Sequence, residues 1–316
     1  TINKSTDYFN TKLYTGNGST NAQTGVGFQP DWVWIKQRNG TGNHFAFDAV
    51  RGVNKPIHPN LTNAQSTQSD TLMSFNSDGF TLGDDSNNGE INSSSNTFAS
   101  WNWKANGAGS SNTDGSVSAT VSANTTAGFS IVQYNTAGSG TQTMGHGLNS
   151  APTFIITKPA QNTESWYVYI PTGVSTSLRL NTTAAAVSST PYSGTPTDTL
   201  FSINNGVIGG YTGVISYCFT EVQGYSKFGS YVATGNADSA FCYTGFAPAF
   251  VMIKRTDGGD SWVIIDSKRD TFNQTSKTLH ADLSDAEIVR QSLDFLSNGF
   301  KIRAGNGIIN GTNNNH

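Results

Sequence analysis

The chain predicts an all-β fold of three tandem antiparallel β-sandwich modules, jelly-roll-like and about 100 residues each. Three observations carry that prediction. Pro30, Pro152 and Pro248 each stand six residues ahead of a lysine (Lys36, Lys158, Lys254), across the runs DWVWIK, TFIITK and AFVMIK. Twelve residues past each lysine a second apolar run ends: HFAFD at Asp48, WYVYI at Ile170, WVIID at Asp266. Between these landmarks, short runs rich in Val, Ile, Phe, Tyr, Trp and Thr alternate with turn residues at roughly 8–12-residue spacing, which describes a sandwich. Equal offsets in three copies mark one structural unit used three times. The predicted boundaries are 1–107, 108–224 with a linker at its start, and 225–316.

In the first repeat, KLYTG precedes GVGFQP, WVWIK and HFAFD; SFNSDGFTLG and TFASWNWKA follow. In the second, FSIVQY, FIITK, WYVYI, TLFSI and VISYCFTEV occupy matching places. In the third, KFGSYVATG, FVMIK, WVIID and DFLSNGFKI do so. An Asn/Asp-Gly pair between apolar runs is the strongest short hairpin signal. It places hairpin turns at Ser77-Asp78-Gly79 and Ser297-Asn298-Gly299; the second repeat has no such pair. Asn106–Thr126 is rich in Gly, Ser, Asn and Thr and reads as a linker, with period-two alternation in Ser116–Ser122. Helical spacing occurs only in Leu283–Leu296, where Ser284 and Glu287 form a capping-box pattern. The third repeat stops at INGTNNNH, where the first has INSSSN before its last strand, TFASWNWKA. The third module is therefore expected to lack that strand, leaving an edge to be filled by further residues of the polypeptide or by a partner.

Charged residues make up only 12% of the chain, about half the usual share, and the net charge is −3. No basic cluster exists to hold phosphates, so nucleic acid is not an expected partner. No stretch reaches the ~18 apolar residues of a membrane helix, so membrane insertion is not expected. The two cysteines, Cys218 and Cys242, read as small strand residues rather than a disulfide framework.

The combination YTGNG, GVGFQPDWVWIK, FD-VRG, SFNSDGFTLG and WNWKA is similar to a repeated domain of marine bacteriophage virion proteins, often found in tail fibres or other particle appendages. SANTTAGFSIV followed by GHGL, and EVQGYSKFGSY with YTGFAPAFVMIKR, resemble the joints between successive copies. The resemblance covers nearly the whole chain and transfers no catalytic residue. It implies a structural or adhesive virion protein at the particle surface, presenting loops to host-surface glycans or to neighbouring virion proteins, with a homo-oligomer such as a trimer as the expected assembly. A secreted or cell-surface carbohydrate-binding array is the alternative, and a glycan hydrolase a third reading.

No enzyme, catalytic residue or cofactor is expected. The five histidines are scattered without zinc-ligand spacing. His146, in GHGL, reads as a turn residue. Trp32 and Trp34 share a strand face that a sugar ring could stack on, yet Phe154, Ile156, Phe250 and Met252 fill the matching places, so the face reads as core. Asp84, Ser86 and Asn88 stand at the 1-3-5 spacing of a calcium loop, with Gly89 at position six but no glutamate at position twelve. Asp48 with Arg51, and Asp266 with Lys268, Arg269 and Asp270, read as salt bridges at surface turns worth under ~1 kcal/mol.

Overall fold

The computed structural model describes residues 1–86, 90–170, 175–303, 305, 307–312 and 314–316, with the side chain of residue 291 excepted. The fold is all-β and has several sheets. The first repeat supplies β1 (Phe9–Thr15), β2 (Asn21–Thr24), β3 (Trp32–Gln37), β4 (Phe45–Asp48), β5 (Leu72–Asn76), β6 (Gly79–Leu82) and β7 (Thr97–Trp103). The second supplies β8 (Ser110–Asn112), β9 (Ala119–Asn124), β10 (Phe129–Tyr134), β11 (Thr141–Gly145), β12 (Phe154–Pro159), β13 (Tyr167–Tyr169), β14 (Leu178–Arg179), β15 (Leu200–Asn204) and β16 (Val214–Phe219). The third supplies β17 (Phe241–Tyr243), β18 (Phe250–Ile253), β19 (Val263–Asp266), β20 (Thr275–His280), β21 (Ile288–Leu296) and β22 (Gly299–Ile302). Among the described residues, helix is confined to single turns at Ser5–Asp7, Asn205–Ile208 and Gly307–Asn310.

Each Pro-to-Lys run forms a strand, and the run after it forms the strand hydrogen-bonded to it. In the first repeat one sheet runs β1-β7-β3-β4 and a second runs β2-β6-β5. The second repeat repeats the first order as β10-β16-β12-β13 within a seven-stranded sheet, and pairs β11 with β15. In the third repeat the order is β17-β22-β21-β20-β19-β18, so β18, the counterpart of the central strands β3 and β12, lies at a sheet edge.

The two SDG/SNG hairpins form as read: Asn76 pairs with Gly79 and Leu296 with Gly299, leaving two-residue turns. Gly79 has φ +136, a conformation that a side chain resists. The segment with helical spacing forms no helix: Leu283–Glu287 is irregular, and Ile288–Leu296 is strand β21, held between β20 and β22. Tertiary partners outweigh its local capping pattern: the Ser284 carbonyl accepts from the Gly42 amide, and Glu287 pairs with Arg38 and Arg269. The expected linker is also more ordered than its composition suggests, since β8 and β9 extend the second sheet beside β10.

Alternation along the strands sends side chains to two kinds of core. Val33, Ile35, Phe45, Phe47, Phe80 and Phe98 form a core within the first repeat; separate cores exist within the second and third. The opposite strand faces converge on a single central cluster drawn from all three repeats, including Trp32, Trp34 and Trp101 of the first, Phe129, Trp166 and Tyr217 of the second, and Trp262 and Ile264 of the third. The repeats therefore pack around one another rather than stringing out, because each carries an apolar face on both sides of its central strand.

Candidate functional site

Trp32 and Trp34 are both 1% exposed, which places them in the core and away from any sugar. Their core is the shared one. The Trp32 ring stacks on Tyr217 of the second repeat, with centroids 4.3 Å apart. Phe250 of the third repeat meets Phe9 and Trp103 of the first at 5.5 and 5.9 Å. Aromatic contacts of this kind add about 0.5–1.5 kcal/mol each beyond their burial.

Polar groups fix the orientation of these apolar faces. At the residue fourteen past each proline, a ring nitrogen reaches a backbone carbonyl of another repeat. Trp166 Nε1 donates to the His58 carbonyl at 2.9 Å, and Trp262 Nε1 donates to the Arg179 carbonyl at 2.8 Å. His44 Nε2 lies 2.9 Å from the His280 carbonyl. A carbonyl only accepts, so Nε2 carries the proton; Nδ1 then accepts from Trp34 Nε1 at 2.8 Å. Burial holds His44 well below its ordinary pKa, which keeps this neutral tautomer in place.

The repeated lysines take part in the same junctions. Lys158 Nζ donates to the carbonyls of Thr62, Asn162 and Glu164, and Lys254 Nζ to those of Thr183, Arg255 and Gly258. In each set one carbonyl belongs to the preceding repeat. Lys36 Nζ donates to the Gln37 carbonyl. Burial pushes all three down to about 8, and nearby carboxylates oppose that shift.

The aspartates that end β4 and β19 are fully buried, contrary to the surface-turn reading. Asp48 accepts from Arg51 Nε at 2.6 Å, and Asp266 from Arg269 Nε at 2.5 Å. The reason they can be buried is a further donor from a different repeat: the Tyr217 hydroxyl reaches Asp48 Oδ2 at 2.8 Å, and Trp101 Nε1 reaches Asp266 Oδ2 at 3.1 Å. Trp101 pairs with Trp34 across β7 and β3, and Tyr217 pairs with Ile156 across β16 and β12, so the two donors occupy equivalent places. Burial, then the Asp48 carboxylate, holds the Tyr217 hydroxyl well above its ordinary pKa, so it remains a donor. In the second repeat the aspartate's place is taken by Ile170. The sequence carried a signal for this link, namely acids in two repeats and an apolar residue in the third, but not its partners.

Two junctions are filled by β7 and β16. Beside β18 the corresponding place is an open cleft of about 820 Å³. Its walls include Phe154, Ile170, Phe228, Phe250, Met252 and Trp262. Phe241 and Tyr243 stand exposed at its rim. This cleft is the candidate binding site of the molecule.

The remaining sequence candidates lie elsewhere. Asp84 and Ser86 sit in the turn after β6, and Asn88 lies outside the described residues. Ser86 Oγ donates to Asp70 Oδ2 at 3.4 Å, and among the described residues no three acidic, histidine or cysteine side chains gather as metal ligands. His146 is buried just after β11, its Nε2 3.0 Å from the Thr197 carbonyl. Cys218 and Cys242 are free thiols on β16 and β17. Among the described residues no helix is long and apolar enough to cross a membrane.

No curated protein and no solved structure matches the chain. A family model described as a domain of unknown function, DUF7483, matches residues 4–316. With the match running over nearly its whole length, the chain belongs to the DUF7483 family.

Proposed function

We propose that the chain is a structural or adhesive protein of a virion surface appendage, built as three β-sandwich modules closed around a shared core. The observation that carries this reading is the cyclic set of junctions. The loop after β4 holds Trp166 and Lys158 of the second repeat; β14 and the segment after it hold Trp262 and Lys254 of the third; the last residue of β20 holds His44 of the first. Every repeat thus grips the next, and the third grips the first. Such a closed unit has its repeated aromatic, lysine and aspartate contacts turned inward, which leaves the remaining loops for presentation to host glycans or to neighbouring subunits. The resemblance to virion domains supplies the context.

Immunogold labelling and mass spectrometry of purified particles test the proposal. Stoichiometric presence on an appendage is expected; absence from particles overturns it. The carbohydrate-binding reading draws on the exposed Phe241 and Tyr243 at the cleft rim, 44% and 67% accessible. Binding on a glycan array that is lost in Tyr243→Ala would favour it.

A further inference from the structure

We propose that His44 is an acid-sensitive latch: its neutral ring holds the third repeat on the first, and protonation parts the two repeats at that junction alone. The inference is independent of the virion reading.

The three junctions are built alike but not from the same ring. At the residue fourteen past each proline, the second and third repeats place Trp166 and Trp262, whereas the first places His44. An indole nitrogen donates at every ordinary pH. An imidazole changes its donors as it titrates. At this position, therefore, two junctions are indifferent to acid and one is not.

The geometry around His44 admits only the neutral ring. His44 is fully buried. Its Nε2–H serves the His280 carbonyl at 2.9 Å, and its Nδ1 accepts from Trp34 Nε1 at 2.8 Å. A proton on Nδ1 sets one N–H against another, and the indole nitrogen has nothing to accept with. Trp34 has little room to turn away, being 1% exposed and packed edge-on against Trp101 with centroids 5.8 Å apart. The bonds to Trp34 and to His280 run through the same ring, so a ring pushed off Trp34 also leaves the third repeat.

The surroundings act in the same sense. Burial is the largest influence against a charge on His44, followed by Lys36 on β3; His58, in the loop after β4, adds to it, and the His280 and Leu283 backbones oppose it. Further out stand Glu90, Asp282, Asp285 and Arg290, which act on Lys36, His58 and His280. Among the described residues no carboxylate is hydrogen-bonded to the His44 ring. With the folded ring held below its ordinary pKa of 6.5, the parted junction binds the proton more readily. Acid therefore favours parting below about pH 6.5, by about tenfold per pH unit for one proton, until the folded pKa is reached. Asp282 works the other way: burial raises its carboxyl, so acid favours its folded form.

Hydrogen–deuterium exchange on the 316-residue chain reads each junction separately, because backbone hydrogen bonds cross all three. Between the first and third repeats the Gly42 amide donates to the Ser284 carbonyl and the Glu287 amide to the Arg38 carbonyl. Between the first and second, Gln65 donates to Ala160 and Glu164 to Thr62; between the second and third, Ala186 donates to Thr256. From pH 6 to pH 5, after correction for intrinsic exchange rates, protection at Gly42 and Glu287 should fall about tenfold while that at Gln65, Glu164 and Ala186 holds. His44→Gln keeps one donor and one acceptor but does not titrate. It also keeps Asp282 and the Arg38–Glu287 ion pair, so the difference from the parent isolates His44. In this variant, protection at Gly42 and Glu287 should not fall over that range. Should it fail to fold, nitrogen NMR of the parent imidazoles stands in: His44 Nδ1 should gain its proton over the pH range in which Gly42 and Glu287 lose protection. Four results would each overturn the proposal: no loss in the parent, equal loss at all three junctions, the same loss in His44→Gln, or a protonated Nδ1 while the Gly42 and Glu287 amides stay protected.

Discussion

The buried Asp48–Arg51–Tyr217 link offers a quantitative test of how the repeats are joined. Asp48 is completely enclosed and accepts from Arg51 Nε, the Arg51 amide and the Tyr217 hydroxyl. Tyr217→Phe removes one hydrogen bond to an ionised acceptor and leaves two, so the expected loss is about 1.5–3 kcal/mol. Asp48→Ala leaves the Arg51 guanidinium buried without its counter-ion, for an expected loss of about 3–5 kcal/mol. In the double variant the Tyr217 loss should vanish, since the hydroxyl has no carboxylate left to serve; the shortfall from additivity is then ~1.5–3 kcal/mol. Against a whole-domain stability of ~5–15 kcal/mol these are large changes. Urea unfolding followed by tryptophan fluorescence gives all four corners of the cycle, provided the slope with denaturant is unchanged. A Tyr217→Phe variant within ~0.5 kcal/mol of the parent, or an additive double variant, would refute the claim that this hydroxyl ties the second repeat to the first.

The shared central cluster predicts a single cooperative unfolding transition, seen alike by fluorescence, circular dichroism and calorimetry; separated transitions for the repeats would contradict it. Trp34→Ala should cost about 3–5 kcal/mol as a full core aromatic, measured by the same denaturation, and a cost under ~1 kcal/mol would count against its place in the core. The three lysines have folded pKa values of about 8, below their ordinary 10.5. Between those values the unfolded chain binds more protons, so stability should rise with pH across that window and be insensitive to these groups below about 8. The urea midpoint should therefore increase from pH 7.5 to 9.5, with a shallower rise in Lys158→Met. Burial holds the Cys218 thiol well above its ordinary pKa and pushes Cys242 up to about 12; both should resist a thiol reagent in the folded protein and react together on unfolding.

The sequence by itself determined the local units. Constant offsets from Pro30, Pro152 and Pro248 located β3, β12 and β18 and the strands after them, because a period-two apolar pattern and its turns are local properties. The Asp-Gly and Asn-Gly pairs located two hairpins for the same reason. It also marked Trp32 and Trp34 as core, since their counterparts are apolar in every copy. Tertiary structure alone decided which core those residues join, that Leu283–Leu296 extends rather than coils, and that Asp48 and Asp266 are buried. Each of those outcomes depends on partners tens to hundreds of residues away: Tyr217 for Asp48, Trp101 for Asp266, Arg38 for Glu287. Tertiary structure likewise decided that β18 stands at a sheet edge beside a cleft walled by the second and third repeats, because an apolar cleft arises only when separate faces are brought together around a common core.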